Sequence, residues 1–454
     1  MSVPIPPSSA SGAAAASDGS SRTGRALRVG MVLDQRFPPD ARVEREALAL
    51  IRAGFEVHLL CARAPGEAYG RDADEWTVDD EYQGIRLHRV DPEQVIYRVP
   101  LIGFPTRFPY RGLAKRAAQT FWNLDPVWFT LIRRFIRRYE IDILHIHDLR
   151  LASTGLAAAS QADLPLVADL HEHYPALMAM LKGRQSPQRG ARARRKWDRV
   201  ERYVCREADR VLTVVEEARD RLLAKGVRAP KVSVIPNTVD IDKFLAVQPD
   251  SEVIRHYKND FVLTYVGHLN SEHRGIQTAL EAVATLKDQI HGLKFVAAGE
   301  YRPDYRKRLD HLIDRLDLHH CVDFTGWLDE TAFASYIQAA DICLIPHLAN
   351  EHTDATFPNK AYLYHLYGKP IIAADCKPLV RYLAETQGGL TYRSGDARAL
   401  ADAVLTLHDD RSRRQRMGRS GQEAVFERHN WKATAERLVS VYRGLAQEWA
   451  LGRA

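Results

Sequence analysis

Residues 29–61 read VGMVLDQRFPPDARVEREALALIRAGFEVHLLC, and this stretch decides the fold. Val29 to Asp34 is a short apolar run of strand length. Ala41 to Ala53 carries apolar residues at helical spacing, and Gly54 closes that helix. Glu56 to Cys61 (EVHLLC) is the next strand. Strand, helix, glycine, strand is a βαβ unit, and a helical crossover returns the chain to its sheet in parallel.

The alternation continues. Strand-like runs recur at Ile85 to Val90, Asp142 to Ile146, Leu166 to Asp169, Val211 to Val215 and Lys231 to Ile235. A polar stretch to about Asp260 follows, and the pattern restarts with Phe261 to Val266, Leu293 to Ala298, Asp341 to Ile345 and Lys369 to Ala374. Neither set shows the eightfold repetition of a barrel. The expected fold is α/β, two doubly wound Rossmann-like domains facing a central cleft. The expected divisions are a disordered tail over 1–26, an N-terminal domain over 27–240, a C-terminal domain over 241–430 and a final helix over 431–454. The sequence does not say on which half that helix packs. Ligands are expected at the carboxyl ends of the strands.

Composition agrees with a globular chain. It has 454 residues, 45% hydrophobic and 27% charged, with a net charge of +6. So small an excess on so long a chain does not imply a nucleic-acid partner. The five cysteines include no CxxC pair, so a zinc site or disulfide scaffold is not expected and a reducing compartment is. The start is rich in Ala, Ser, Gly and Pro and lacks the pattern of a secretory signal. No run of ~18 apolar residues could span a membrane.

The first βα turn, DQRFPPDARVERE, is not GxGxxG, and no GxxxxGK[ST] occurs, so hydride transfer and P-loop chemistry lose their main support. Two strand-end segments carry histidines. DILHIHD holds His145, His147 and Asp148, and VADLHEHYP holds His171, Glu172 and His173. One reading packs each histidine under the sheet; the other lines the cleft with them. No spaced carboxylate or cysteine completes a metal site with His145 and His147, so no metal is expected. In the second half, TYVGHLNSEHRGIQTALEAV joins Gly267 to a helix start at Arg274-Gly275, a combination suited to a diphosphate. VAAGEY repeats the strand-end glycine at Gly299, followed by Glu300. TDATFPNKAYLYHLYGKPIIAAD opens a helix with Pro358 and Asn359, and Lys360 adds charge at its start.

Taken together, these segments resemble the GT-B glycosyltransferases, in particular the large retaining family 4, from about Arg28 to Glu448. The resemblance also rests on ADRVLTVVEEARDRLL followed by VIPNTVDIDKF, and on FTGWLDETAFASYIQAADICLIP. It implies a retaining, metal-independent hexosyltransferase without cofactor. Such an enzyme moves a sugar from a nucleotide-diphosphate sugar to a glycan or lipid-linked acceptor, in surface polysaccharide or glycoconjugate synthesis. Carried over by position, Arg274, Gly267 and His268 face the diphosphate, and Gly299, Glu300, Asp354, Pro358, Asn359 and Lys360 complete the donor side. The turn from Phe324 to Trp327 lies near the base, and His147 near the transferred sugar. Arg42, Asp148, His171 and Glu172 are the acceptor-side candidates. One departure stands out. The family carries two glutamates with seven residues between them, and this chain has Ala355 and Leu363 there. Asp354 or Glu351 could substitute for the first. Two rivals stay open: a non-catalytic GT-B binding or scaffold protein of a glycan pathway, which Leu363 supports, and a GT-B sugar-nucleotide epimerase or a phosphorylase, the epimerase having Glu172 as its candidate carboxylate.

Asp72-Ala73-Asp74 mimics a metal-binding DxD but sits in an acidic stretch and reads as a solvated loop. Two segments are basic. Arg107 to Arg138 has eight basic residues against Asp125, and Lys182 to Arg202 has nine against Asp198 and Glu201. Solvated helix faces explain both, and so does attachment to an anionic membrane surface, which relatives with lipid-linked acceptors favour. No nucleic-acid motif accompanies them. The expected location is cytoplasmic, peripheral on the inner face of the membrane.

Overall fold

The computed structural model describes residues 25–63, 77–92, 123–269, 271–329 and 332–452. Nearly all of the expected tail, Asp72-Ala73-Asp74 and the part of the first basic segment over 107–122 lie outside the described residues.

The first sheet has eight strands, β1 (Arg28–Arg36), β2 (Glu56–Ala62), β3 (Val78–Tyr82), β4 (Ile85–Val90), β5 (Ile143–His147), β6 (Leu166–Leu170), β7 (Arg210–Thr213) and β8 (Val232–Val234). Their order is β3-β4-β2-β1-β5-β6-β7-β8. All pairs are parallel except β3 with β4. The second sheet is wholly parallel. It joins β9 (Phe261–Val266), β10 (Leu293–Ala298), β11 (Val322–Gly326), β12 (Ile342–Ile345), β13 (Ile371–Ala374) and β14 (Gly389–Tyr392) in the order β11-β10-β9-β12-β13-β14. The fold is therefore the expected pair of doubly wound domains.

The opening βαβ unit forms as its sequence dictates. The Asp40 carboxylate accepts from the amides of Arg42 and Val43 and caps the helix Ala41–Arg52. That helix turns Val43, Ala47 and Leu50 onto Val29, Met31, Val57 and Leu59 of β1 and β2. The final helix, Trp431–Gly452, adds Trp431, Leu438, Tyr442 and Leu445 to this same cluster, so it returns to the first sheet. Each such buried side chain contributes about 1.5–3 kcal/mol of transfer free energy.

In each sheet the chain builds first on one side of its first strand and then on the other, so the switch points lie between β1 and β5 in the first and between β9 and β12 in the second. Crevices open at such switch points because neighbouring crossovers leave in opposite directions. The ends of β9 and β12 carry Gly267 and His347, and the turn after β6 carries His171 and Glu172.

Candidate active site

A cleft of about 700 Å³ lies between the domains. Its lining brings together His171, Glu172, Gly267, His268, Arg274, Glu300, Pro358, Asn359 and Lys360 among the expected residues. Arg42, His147, Asp148, Gly299 and Asp354 are not part of that lining.

The second-domain wall is built around the end of β9. Gly267 has φ +113, open to glycine, and a Cβ there would meet Lys360 Nζ at 3.1 Å. A Cβ on Gly299 would meet the Gly267 carbonyl oxygen at 2.3 Å. Gly299 is thus a spacer beneath Gly267 and is not itself part of the cleft lining. Lys360 begins the helix Lys360–Leu366, and its Nζ lies 3.5 Å from the Tyr265 ring centroid. Burial, reinforced by Arg274, holds this ammonium well below the usual lysine range.

Arg274 precedes the helix Ile276–Leu286. Its Nη1 donates to Nε2 of His347 at 3.4 Å, while its Nε is buried without a hydrogen-bond partner. Among the described residues neither Arg274 nor Lys360 forms an ion pair. The nearby imidazoles do not add charge. Burial first, then Arg274, pushes His273 down to about 4 and His347 well below its usual range. Burial also takes His352 to about 4. His347, His273 and His352 were not foreseen. The signal for His347 was present, because it follows the end of β12 as His171 follows β6.

His268 and Glu300 pair at 3.4 Å on the exposed rim. Asp354 is elsewhere: its Oδ1 accepts from the Lys377 amide at 3.1 Å, at the start of the helix Lys377–Thr386. Its carboxylate thus satisfies a helix end and does not line the cleft.

The first-domain wall presents Glu172 and His171. Burial pushes the Glu172 carboxyl up to about 7, and His352 Nε2 lies 3.4 Å from its Oε2. His171 Nδ1 lies 3.3 Å from Asp169 Oδ2, and its Nε2 lies 3.2 Å from Asp148 Oδ1. Burial opposes charge on His171, but these two carboxylates outweigh it and hold the imidazole well above its usual range.

Beneath that wall is a buried network. Arg42, 4% exposed, donates Nε and Nη2 to Asp169 at 2.8 and 2.7 Å and pairs with Glu46 at 2.9 Å. His147, 1% exposed, places Nδ1 3.2 Å from Asp169 Oδ2. Arg42 and His147 thus serve the network below the cleft and not its surface. The cleft-facing histidine is His171. Asp169, which sequence reading passed over as part of a strand, is the hub. Glu46, His145, His147 and Asp169 bring donor atoms within 4.8 Å of one another, so carboxylates do join the two histidines, contrary to expectation. The guanidinium of Arg42 already supplies the positive charge that these carboxylates balance.

Two parallel-sheet domains with a cationic cleft at their switch points define a GT-B glycosyltransferase. The chain matches the family model "Glycosyltransferase Family 4" over residues 41–243 and "Glycosyl transferases group 1" over 260–410. It belongs to the family 4-like GT-B glycosyltransferases. It is 23% identical to phosphatidyl-myo-inositol mannosyltransferase of Mycobacterium leprae, covering 92% of this chain and 97% of that protein. It is 26% identical to glycogen synthase of Mycobacterium tuberculosis, covering 67% and 69%. Among solved structures, sucrose-phosphate synthase from Thermosynechococcus elongatus superposes with a TM-score of 0.71 at 19% identity, covering 93% of this chain and 100% of that one. Anabaena HepE in complex with UDP and glucose superposes at 0.64 and 16% identity, covering 92% and 100%.

Proposed function

We propose that the protein transfers a sugar from a nucleotide-diphosphate sugar to a glycan or lipid-linked acceptor, with retention of configuration and without a metal. The observation that carries this reading is the Arg274–Lys360 pair. Two basic side chains share one cleft wall without carboxylate partners among the described residues, and Arg274 disfavours charge on Lys360. A diphosphate supplies the matching negative charge. As it leaves the sugar, the same pair stabilises the charge that develops, the part a metal plays elsewhere. The UDP and glucose bound by HepE support a nucleotide-sugar donor.

A second reading, a non-catalytic binding protein of a glycan pathway, is favoured by Leu363. This side chain lines the cleft where the family resemblance calls for a glutamate, and it accepts no hydrogen bond. A sugar-nucleotide epimerase would rely on Glu172. Incubation with UDP-, GDP-, ADP- and dTDP-sugars, followed by mass, separates the three. Turnover in wild type and its loss in Arg274→Ala supports transfer, binding without turnover supports the second reading, and an isomerised sugar supports the third. The basic segments and the absence of any helix among the described residues long and apolar enough to cross a membrane accord with peripheral work on the inner membrane face.

A further inference from the structure

We propose that Asp148 and Asp169 are positioning residues that hold His171 at the cleft wall as a fixed imidazolium, so that it serves the reaction by its charge and not by proton transfer. This inference rests on the glycosyl-transfer reading above.

The geometry sets the protonation state. Each ring nitrogen of His171 faces a carboxylate oxygen, Asp169 Oδ2 at 3.3 Å and Asp148 Oδ1 at 3.2 Å. Carboxylates in this state only accept, so both nitrogens carry protons. With both N–H groups engaged, the ring has no free nitrogen to take a proton from an acceptor hydroxyl. It keeps its charge, and 22% of its side chain is exposed.

Asp148 shows that this arrangement is specified. It has φ +67 and ψ 149, a conformation that only glycine adopts freely. It also stands at the start of the helix Leu149–Ala162, where an aspartate ordinarily caps the free amides, yet its carboxylate makes no capping bond. Strain and a forgone cap both accompany the carboxylate that reaches His171. Asp169 is fixed in turn by the two hydrogen bonds from Arg42. The other titratable groups bearing on the ring are His147, which shares Asp169 Oδ2, then Glu46 and His145 in the buried network, and Glu172 next in the chain. Arg274 faces Glu172 from across the cleft. The His171 imidazolium and the Arg274 guanidinium thus line one cleft from its two walls, and an anionic substrate group between them meets both.

The test uses the full chain labelled with ¹⁵N-histidine, the His171 signals being assigned by H171Q. In wild type both ring nitrogens are expected to remain protonated from about pH 6 to about pH 8. In Asp148→Gly the ring is expected to lose a proton within that range, while the melting temperature stays level or rises because glycine accepts the backbone conformation. Nucleotide-sugar turnover by this variant, taken relative to wild type at the same pH so that the Glu172 titration cancels, should fall about tenfold between about pH 6 and about pH 8. A singly protonated His171 in wild type at neutral pH overturns the proposal. So does an Asp148→Gly variant whose pH profile matches wild type. If wild type turns over no nucleotide sugar, the glycosyl-transfer reading fails by itself, and the ¹⁵N signals alone decide the state of His171.

Discussion

The ammonium of Lys360 stands 3.5 Å from the centroid of the Tyr265 ring, on a cleft wall where its nearest fixed charge is another cation, Arg274. Burial and Arg274 both depress its pKa. The unfolded chain then binds more protons than the folded one between the depressed value and the ordinary lysine value, so stability rises with pH across that window. A bound diphosphate reverses the shift. At a pH within that window nucleoside diphosphate binding should therefore take up protons, seen as a calorimetric enthalpy that depends on the ionisation heat of the buffer. Lys360→Met should abolish the uptake and weaken binding by roughly 2–5 kcal/mol. It should also raise the melting temperature, because a buried cation is gone.

How far these features were legible in the sequence depended on where each residue stood relative to a strand end. Gly267, Arg274 and Lys360 reach the cleft lining because each lies in a turn or at a helix start, where a side chain or amide is free to face outward. His147 lies off the cleft lining because it is the last residue of β5, with both faces of the strand covered, whereas His171 lies one residue beyond β6. Asp169 was hidden inside LVADL, where a carboxylate reads as an interruption and its partner Arg42 is 127 residues away. The central strands were legible as continuous apolar runs. Of the four edge strands only β8 was. β3 is VDDEY, acidic and mostly exposed, and the two-residue Gln83-Gly84 turn, with φ 52 and 86, was its only signal. β11 and β14 likewise bury little of their length. The helix Lys377–Thr386 was missed although Pro378 at its first turn and Leu379, Tyr382 and Leu383 on its buried face marked it.

Leu363 is 6% exposed on the helix that Lys360 begins, and it lines the cleft. If it stands where relatives hold the ribose hydroxyls, Leu363→Glu should tighten nucleotide-sugar binding by about 1.5–3 kcal/mol, the scale of a hydrogen bond to a charged group. Without ligand the same variant should melt lower than wild type, because the new carboxylate loses water. Calorimetry and thermal melts check both. Unchanged affinity would place the ribose elsewhere.

The helix Pro187–Glu207 packs Val200, Val204 and Cys205 onto the first domain and turns Arg192, Arg195, Arg199, Arg202 and Arg206 to solvent. These five recur at alternating steps of three and four, so they form one stripe. Among the described residues none of the five forms an ion pair, while Arg194, off the stripe, pairs with Asp198 and Glu351. Tyr203, 53% exposed, lies beside them. The protein should sediment with anionic liposomes at low salt and be released at high salt. The variant R192Q/R195Q/R199Q/R202Q should lose about 1 kcal/mol of membrane affinity for each charge removed, with the melting temperature unchanged. Binding that ignores salt, or an unaffected variant, would leave the stripe as a solvated face.

His365 makes the second domain sensitive to acid. The ring is fully buried, with Nδ1 2.8 Å from the Tyr382 hydroxyl and Nε2 3.1 Å from the Gly388 carbonyl. The neutral ring satisfies both, donating from Nε2 and accepting at Nδ1, and burial pushes its pKa down to about 4. Glycines enclose it. A Cβ at Gly388 or Gly421 would lie 2.3 or 2.4 Å from ring atoms, so no water could enter to solvate an imidazolium. Between about pH 6.5 and about pH 4 the unfolded chain takes a proton that the folded chain refuses, so stability is complete above that window and falls as pH drops through it, by up to about 3 kcal/mol. His365→Gln should be less stable than wild type at neutral pH but lose less on acidification. Gly388→Ala should be destabilised by a similar amount at every pH, since its clash does not titrate. Urea midpoints measured from about pH 7 to about pH 4.5 separate the two patterns, and an equal acid slope in wild type and His365→Gln would remove His365 from the account.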